Sequence, residues 1–169
     1  MQSHFDLFGL APAYALETDA LERSYREIQS KVHPDRFAHA GDAERRASLQ
    51  WTTRVNEAYR TLKDPVQRAK HLLELHGVDV AFETNTAMPP EFLMQQMAWR
   101  EGLDEAATAK AVEAIAADID THRRAAYAEL ARSIDDAGDF EAASRQVRAL
   151  MFVERFAGDV DERLAAREV

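Results

Sequence analysis

The chain has 169 residues, no cysteine and a formal net charge of −9. The absence of cysteine excludes disulfides, thiolate zinc sites, a cysteine nucleophile and cysteine ligation of an iron–sulfur cluster. The charge is unevenly placed: residues 1–76 carry 11 basic and 11 acidic side chains, whereas residues 77–169 carry 10 and 19. An acidic second half argues against a nucleic-acid partner, which needs clustered Lys and Arg. Such asymmetry suggests two units with different partners. No apolar stretch approaches the ~20 residues of a membrane span. The start lacks a basic region followed by an apolar run, so a cytoplasmic location and no membrane association are expected. With 6 Gly and 5 Pro there is little room for the turns of a β-sandwich, and the chain reads as all-α.

In chain order, residues 5–10 form a short apolar patch closed by Gly9 and Pro12. A helix is predicted from Thr18-Asp19, where Asp19 and Glu22 have capping-box spacing. Leu21, Tyr25, Ile28 and Val32 supply its apolar face. Pro34 ends it, because the residue before a proline is pushed out of the α region. A second helix is predicted over about 43–62, with Ala47, Trp51, Val55, Ala58 and Leu62 inward. Asp64-Pro65 reads as an N-cap with proline at the first helical position. A short helix carrying Ala69, Leu72 and Leu73 follows and ends at Gly77. Residues 78–89 lack periodicity and read as a linker. Three helices are then expected over about 90–105, 107–134 and 139–166, with Val112, Ile115, Ile119 and Leu130 inward on the middle one. The domain reading is thus 1–77, a linker at 78–89, and a three-helix bundle at 90–169.

The first candidate site is the loop tripeptide His33-Pro34-Asp35, where a rigid proline presents His and Asp on either side. The bland reading is a helix stop flanked by two solvated polar residues. Its context favours more. Residues 25–37 (YREIQSKVHPDRF) and 56–65 (NEAYRTLKDP) resemble helix II with its loop and the end of helix III of a J domain. Residues 5–10 (FDLFGL) resemble its short first helix. The resemblance implies an antiparallel helical hairpin that docks on a DnaK-class chaperone and stimulates its ATPase. His33, Pro34 and Asp35 would be the essential contact. Arg23, Arg26, Lys31 and Arg36 would be the basic residues that meet an acidic chaperone face. Glu22 and Glu27 dilute that charge, so steering should be modest and salt-sensitive.

The second candidate site comes from turning each helical residue by about 100°. With Phe92 at 0°, Trp99 and Leu103 join it within about 20°, a natural core stripe. Leu93, Met97, Glu101, Met94 and Glu105 fall between about 100° and 220°, a second apolar stripe edged by carboxylates. A core needs one stripe, and methionines suit adaptable binding surfaces. Periodicity alone leaves open whether the second stripe packs on the first unit, on a bundle helix or on a partner. On the last helix Phe152 points about 160° from the stripe of Ala143, Val147 and Leu150. It is an interface anchor, an isolated aromatic or a contact to the other unit.

Residues 92–105 (FLMQQMAWREGLDE) resemble the first bundle helix of HscB-type co-chaperones. Residues 5–10, 72–77 (LLELHG) and 148–156 (RALMFVERF) resemble that family too. The resemblance implies that Leu93, Met94, Met97, Glu101, Glu105 and Phe152 bind an IscU-like iron–sulfur scaffold protein. The chain would deliver it to an HscA-like DnaK-class chaperone. Ala98 departs from the pattern, standing where relatives often carry an acid. No cofactor, metal site or catalytic residue is expected: a nucleophile elbow, a phosphate-binding glycine loop and a zinc helix motif are all missing. The alternative is a general J-domain co-chaperone with a different client.

Overall fold

The computed structural model describes residues 2–81, 84 and 87–166. These residues form helices and connecting turns, with no strand among them. The chain falls into two compact units, Met1–Leu75 and His76–Val169.

The first unit opens with α1, His4–Leu7. Ser3 caps it: its hydroxyl accepts from the Asp6 N–H at 3.1 Å, and the Asp6 carboxylate accepts from the Ser3 N–H at 2.9 Å. That reciprocal pair satisfies two donors which a four-residue helix could not satisfy itself. Phe5 and Phe8 are buried. Helix α2, Thr18–Val32, begins at Thr18 with Glu17 as an N-cap that makes no side-chain bond. The expected Asp19–Glu22 capping box is therefore not formed. Asp19 lies inside the first turn, where its charge still suits the helix dipole. Glu22 pairs with Arg26 at 3.9 Å.

The chain leaves α2 through His33, extended at ψ 134, into a 3₁₀ turn over Pro34–Phe37. Helix α3, Asp42–Lys63, returns along α2, the antiparallel hairpin expected of a J domain. The hairpin is joined by stacked Tyr25 and Tyr59 rings, with centroids 4.0 Å apart, and by Tyr25 donating to Asn56 Oδ1 at 2.7 Å. Leu21, Val55, Ala58 and Leu62 are fully buried. Ala47 and Trp51 are not inward as expected. Ala47 is exposed, and Trp51 is 43% exposed beneath the Arg54 guanidinium at 5.4 Å. The inward face there turns by one residue, to Ser48 and Thr52. It meets the carbonyl end of α2, which calls for hydroxyl donors rather than an indole. Helix α4, Pro65–Leu75, is capped as read: Asp64 Oδ1 accepts from the Val66 and Gln67 N–H groups at 2.8 and 2.9 Å. It buries Val66, Ala69, Leu72 and Leu73.

The second unit begins before the bundle. The boundary lies at residue 75, two before the expected 77, and Val80, inside the expected linker, is buried. Its carbonyl accepts from the buried Arg148 guanidinium at 2.9 Å. Three helices follow: α5, Pro90–Glu105; α6, Ala109–Ala131; and α7, Phe140–Ala165. Helix α6 starts at its Thr108 cap. It ends before the expected residue 134, because residues Arg132–Asp136 widen into a π turn. Gly138, at φ 62, then reverses the chain onto the Asp139 cap of α7. Trp99, Leu103, Val112, Ile119, Val153, Phe156 and Val160 make one core, with Phe92 and Ile115 packed against it. Trp99 is fixed by donating to Asp118 at 2.7 Å and by an edge-on contact with His122. Helices α6 and α7 are clamped by Glu154, which accepts from Arg123 Nε and Nη2 at 3.0 and 2.9 Å and from the Tyr127 hydroxyl. Burial and then that carboxylate push the Tyr127 phenol up to about 12.

Candidate interaction surfaces

The first surface is built where α2 stops. Pro34 cannot donate an N–H and forbids helical ψ to His33, so the chain must turn outward at that peptide. The imidazole folds over the turn: His33 Nδ1 accepts from the Asp35 N–H at 3.2 Å and lies 3.6 Å from Asp35 Oδ2. The Arg36 N–H donates to the His33 carbonyl at 3.0 Å. The Arg36 guanidinium donates to the Ser30 carbonyl at 3.0 Å. His33 and Asp35 thus present exposed side chains from a turn whose backbone bonds are internally satisfied.

Of the four basic residues, Arg23, Arg26 and Lys31 are exposed along α2 within about 140° of one another. Arg26 and Lys31 each face an acid of their own helix, Lys31 bonding Glu27 at 2.9 Å. That bond holds the Glu27 carboxyl below its usual range. Arg36 is folded back onto the end of α2 and shapes the loop. The cationic face is therefore Arg23, Arg26 and Lys31, partly screened by Glu22 and Glu27. Sequence reasoning did not find Ser48 and Thr52, whose hydroxyls both reach the last carbonyl of α2. The signal was present: two hydroxyl residues four apart, where a hydrophobic stripe should continue.

The second surface lies on the bundle. Phe92, Trp99 and Leu103 turn inward, as the helical wheel requires. Leu93, Met94 and Met97 are 46%, 69% and 60% exposed, so the second stripe of α5 is an open apolar face. Glu101, Glu105 and Ala98 are exposed beside it. On α7 the half-buried Phe152 shares a shallow hollow with Phe156, Arg155 and Asp159, and with Gln96 and Arg100 of α5. Phe152 is thus neither isolated nor far from α5. Gln96 and Arg100 lie between the two stripes and carry the surface from the methionines to the aromatic ring. Their polar character hid them from a search for apolar periodicity.

Among the described residues no group of three or more His, Asp and Glu is gathered to hold a metal ion. No helix among them is long and apolar enough to cross a membrane.

Comparison with known proteins gives a consistent set of relatives. A family model described as the HSCB C-terminal oligomerisation domain matches residues 88–161. The co-chaperone protein HscB homolog of Burkholderia vietnamiensis is 51% identical, over 98% of this chain and 96% of its own length. The corresponding protein of an Azoarcus species is 49% identical over 99% and 96%. Among solved structures, chaperone HscB from Vibrio cholerae superposes with a TM-score of 0.85 at 32% identity, covering 99% of both chains. Human co-chaperone HscB superposes at 0.92 and 26% identity, covering 96% of this chain and 82% of that one. With half of its residues shared over nearly its whole length, a J-domain hairpin in front and the matched bundle behind, this chain belongs to the HscB family of co-chaperones.

Proposed function

We propose that the chain is a two-site co-chaperone of iron–sulfur cluster assembly. Its bundle binds an IscU-like scaffold protein, and its His33-Pro34-Asp35 loop stimulates the ATPase of an HscA-like DnaK-class chaperone. The observation that carries this reading is the two-faced helix α5. One stripe already fills the bundle core, so the open stripe of Leu93, Met94 and Met97 is not needed to fill it. Exposed methionines edged by Glu101 and Glu105 suit a protein client with apolar and basic groups. The same chain carries a rigid exposed loop beside a cationic helix face, suited to a second, acidic partner. Holding both partners at once would raise the scaffold's effective concentration at the chaperone. The ATP hydrolysis belongs to the partner, and this chain contributes binding and positioning.

The test is chaperone ATPase, assayed with and without the scaffold protein. The wild-type chain should stimulate turnover, and scaffold protein should raise the stimulation further. His33→Gln should keep normal helicity and scaffold affinity but lose stimulation. Retained stimulation would refute the loop's role. Stimulation by the wild type with no effect of the scaffold would instead favour a general J-domain co-chaperone with another client.

A further inference from the structure

The last carbonyl of α2 is held by the opposite helix. Carbonyls in a helix's final turn have no donor within the helix and must find one elsewhere. Val32 O accepts from Ser48 Oγ at 2.6 Å and from Thr52 Oγ1 at 3.2 Å, both on α3. Ser48 is only 4% exposed, so its hydroxyl is a buried polar group with a specific acceptor. The loop itself has little to offer that oxygen. Pro34 has no N–H, the Asp35 N–H goes to His33 Nδ1, and the Arg36 N–H goes to the His33 carbonyl. The acceptor matters because of where it sits. The Val32 carbonyl and the His33 nitrogen share one planar peptide, so fixing the oxygen fixes the plane from which His33 departs.

We propose that Ser48 and Thr52 are positioning residues that set the His33-Pro34-Asp35 loop against α3. They would act through the Val32–His33 peptide and touch no partner. The inference rests on the reading that this loop triggers the chaperone's ATPase. It adds that the trigger's geometry is stored in α3 as well as in the loop. The pair is redundant, since one hydroxyl can hold the oxygen when the other is removed. Deleting both leaves a carbonyl without its donors beside the loop, and the turn is free to rotate about ψ of Val32 and φ of His33. Docking through Arg23, Arg26 and Lys31 is untouched by that change.

The experiment compares wild type, Ser48→Ala/Thr52→Val and Ser48→Ala/Thr52→Ser in the full-length protein, below the melting transition of each. Both double variants lose the Ser48 hydroxyl, but the second keeps one on residue 52. Two readouts are taken: chaperone ATPase against co-chaperone concentration, and amide exchange at Asp35 and Arg36 by NMR. The Val variant should lower maximal stimulation about tenfold, the scale of one or two lost hydrogen bonds, with half-saturation shifted by no more than about twofold. Its Asp35 amide should exchange about tenfold faster, and the Ser variant should recover both. A purely structural role would lower the folded fraction and move half-saturation, leaving the maximum reachable with more protein; that result overturns the proposal. So does a Val variant with wild-type stimulation and wild-type exchange. If the wild type itself fails to stimulate, the functional reading falls. The positioning claim is then decided by the Asp35 amide alone: faster exchange restored by Thr52→Ser upholds it, and unchanged exchange overturns it.

Discussion

Two stacked histidines should make the first unit sensitive to acid. His4 and His71 lie with ring centroids 4.3 Å apart, and His71 Nε2 accepts the His4 N–H at 3.2 Å. That nitrogen must be unprotonated to accept. Burial holds both imidazoles below their ordinary range, and the His4 charge lowers His71 further; Arg54 adds to the effect at His4, while Glu57 and Glu74 oppose it. A histidine whose folded pKa is depressed contributes stability above its unfolded value, about 6.5, and loses it as pH falls toward the folded value. The melting temperature should therefore drop as pH falls through and below about 6.5, and more gently in His71→Gln, which can accept without titrating. Identical slopes in thermal denaturation of the two proteins would rule out this pair as the source. Their pairing is not legible in the sequence, because they are 67 residues apart and only the fold stacks them. His33-Pro34-Asp35 was legible for the opposite reason. Its chemistry lies in three consecutive residues whose backbone consequences follow from proline alone.

Helices show the same division between local and non-local information. Helix α5 was read with its observed ends because Pro90 fixes the start and the two stripes fix the faces. The hydroxyl face of α3 was missed because apolar periodicity was extended past the point where its neighbour turns from side chains to carbonyls. The end of α6 was overrun because a π turn keeps helical composition while changing the bond pattern. Gly102 offers a test at this scale. Glycine inside a helix costs about 0.5–1 kcal/mol against alanine, mainly in backbone entropy. A methyl group built there meets Ile115 Cδ1 at 3.4 Å, an ordinary contact. Gly102→Ala should stabilise the protein by about 0.5–1 kcal/mol in denaturant unfolding. Scaffold affinity should be unchanged, because position 102 lies outside the exposed stripe. A loss of stability would mean that Ile115 cannot yield the space.

Across the whole molecule, the net charge of −9 resolves into a neutral J-domain unit and an acidic bundle, each with its own candidate surface. If the two surfaces serve two partners, damage to one should leave the other intact. Leu93→Ala combined with Phe152→Ala should weaken scaffold binding by about 1–3 kcal/mol in calorimetric titration. Stimulation of the chaperone without scaffold should stay at the wild-type level. His33→Gln should give the converse pattern. Joint loss in either variant would show that the units do not act separately. Family, fold class, and the exposure of the loop tripeptide and of the outer stripe of α5 could be read from the residues, because each is carried by a contiguous segment; the approach of Phe152 to Gln96 and Arg100 could not. The details that hold them in place could not be read so. Ser48 against Val32, Arg148 against Val80 and Glu154 between two helices are contacts over long separations.

The two-faced helix α5 has a consequence for how this protein can change. In most domains a residue that binds a partner also packs a neighbour, so improving one role erodes the other. Here Trp99 and Leu103 hold the bundle while Leu93, Met94 and Met97 stand free of it. Substitutions along the outer stripe should therefore cost the folded state less than substitutions at Trp99 or Leu103, and under the proposed function they would act first on partner choice. Ala98, at the edge of that stripe, is exposed as well. An acid placed there would add negative charge beside Glu101 and Glu105 without touching the core beneath.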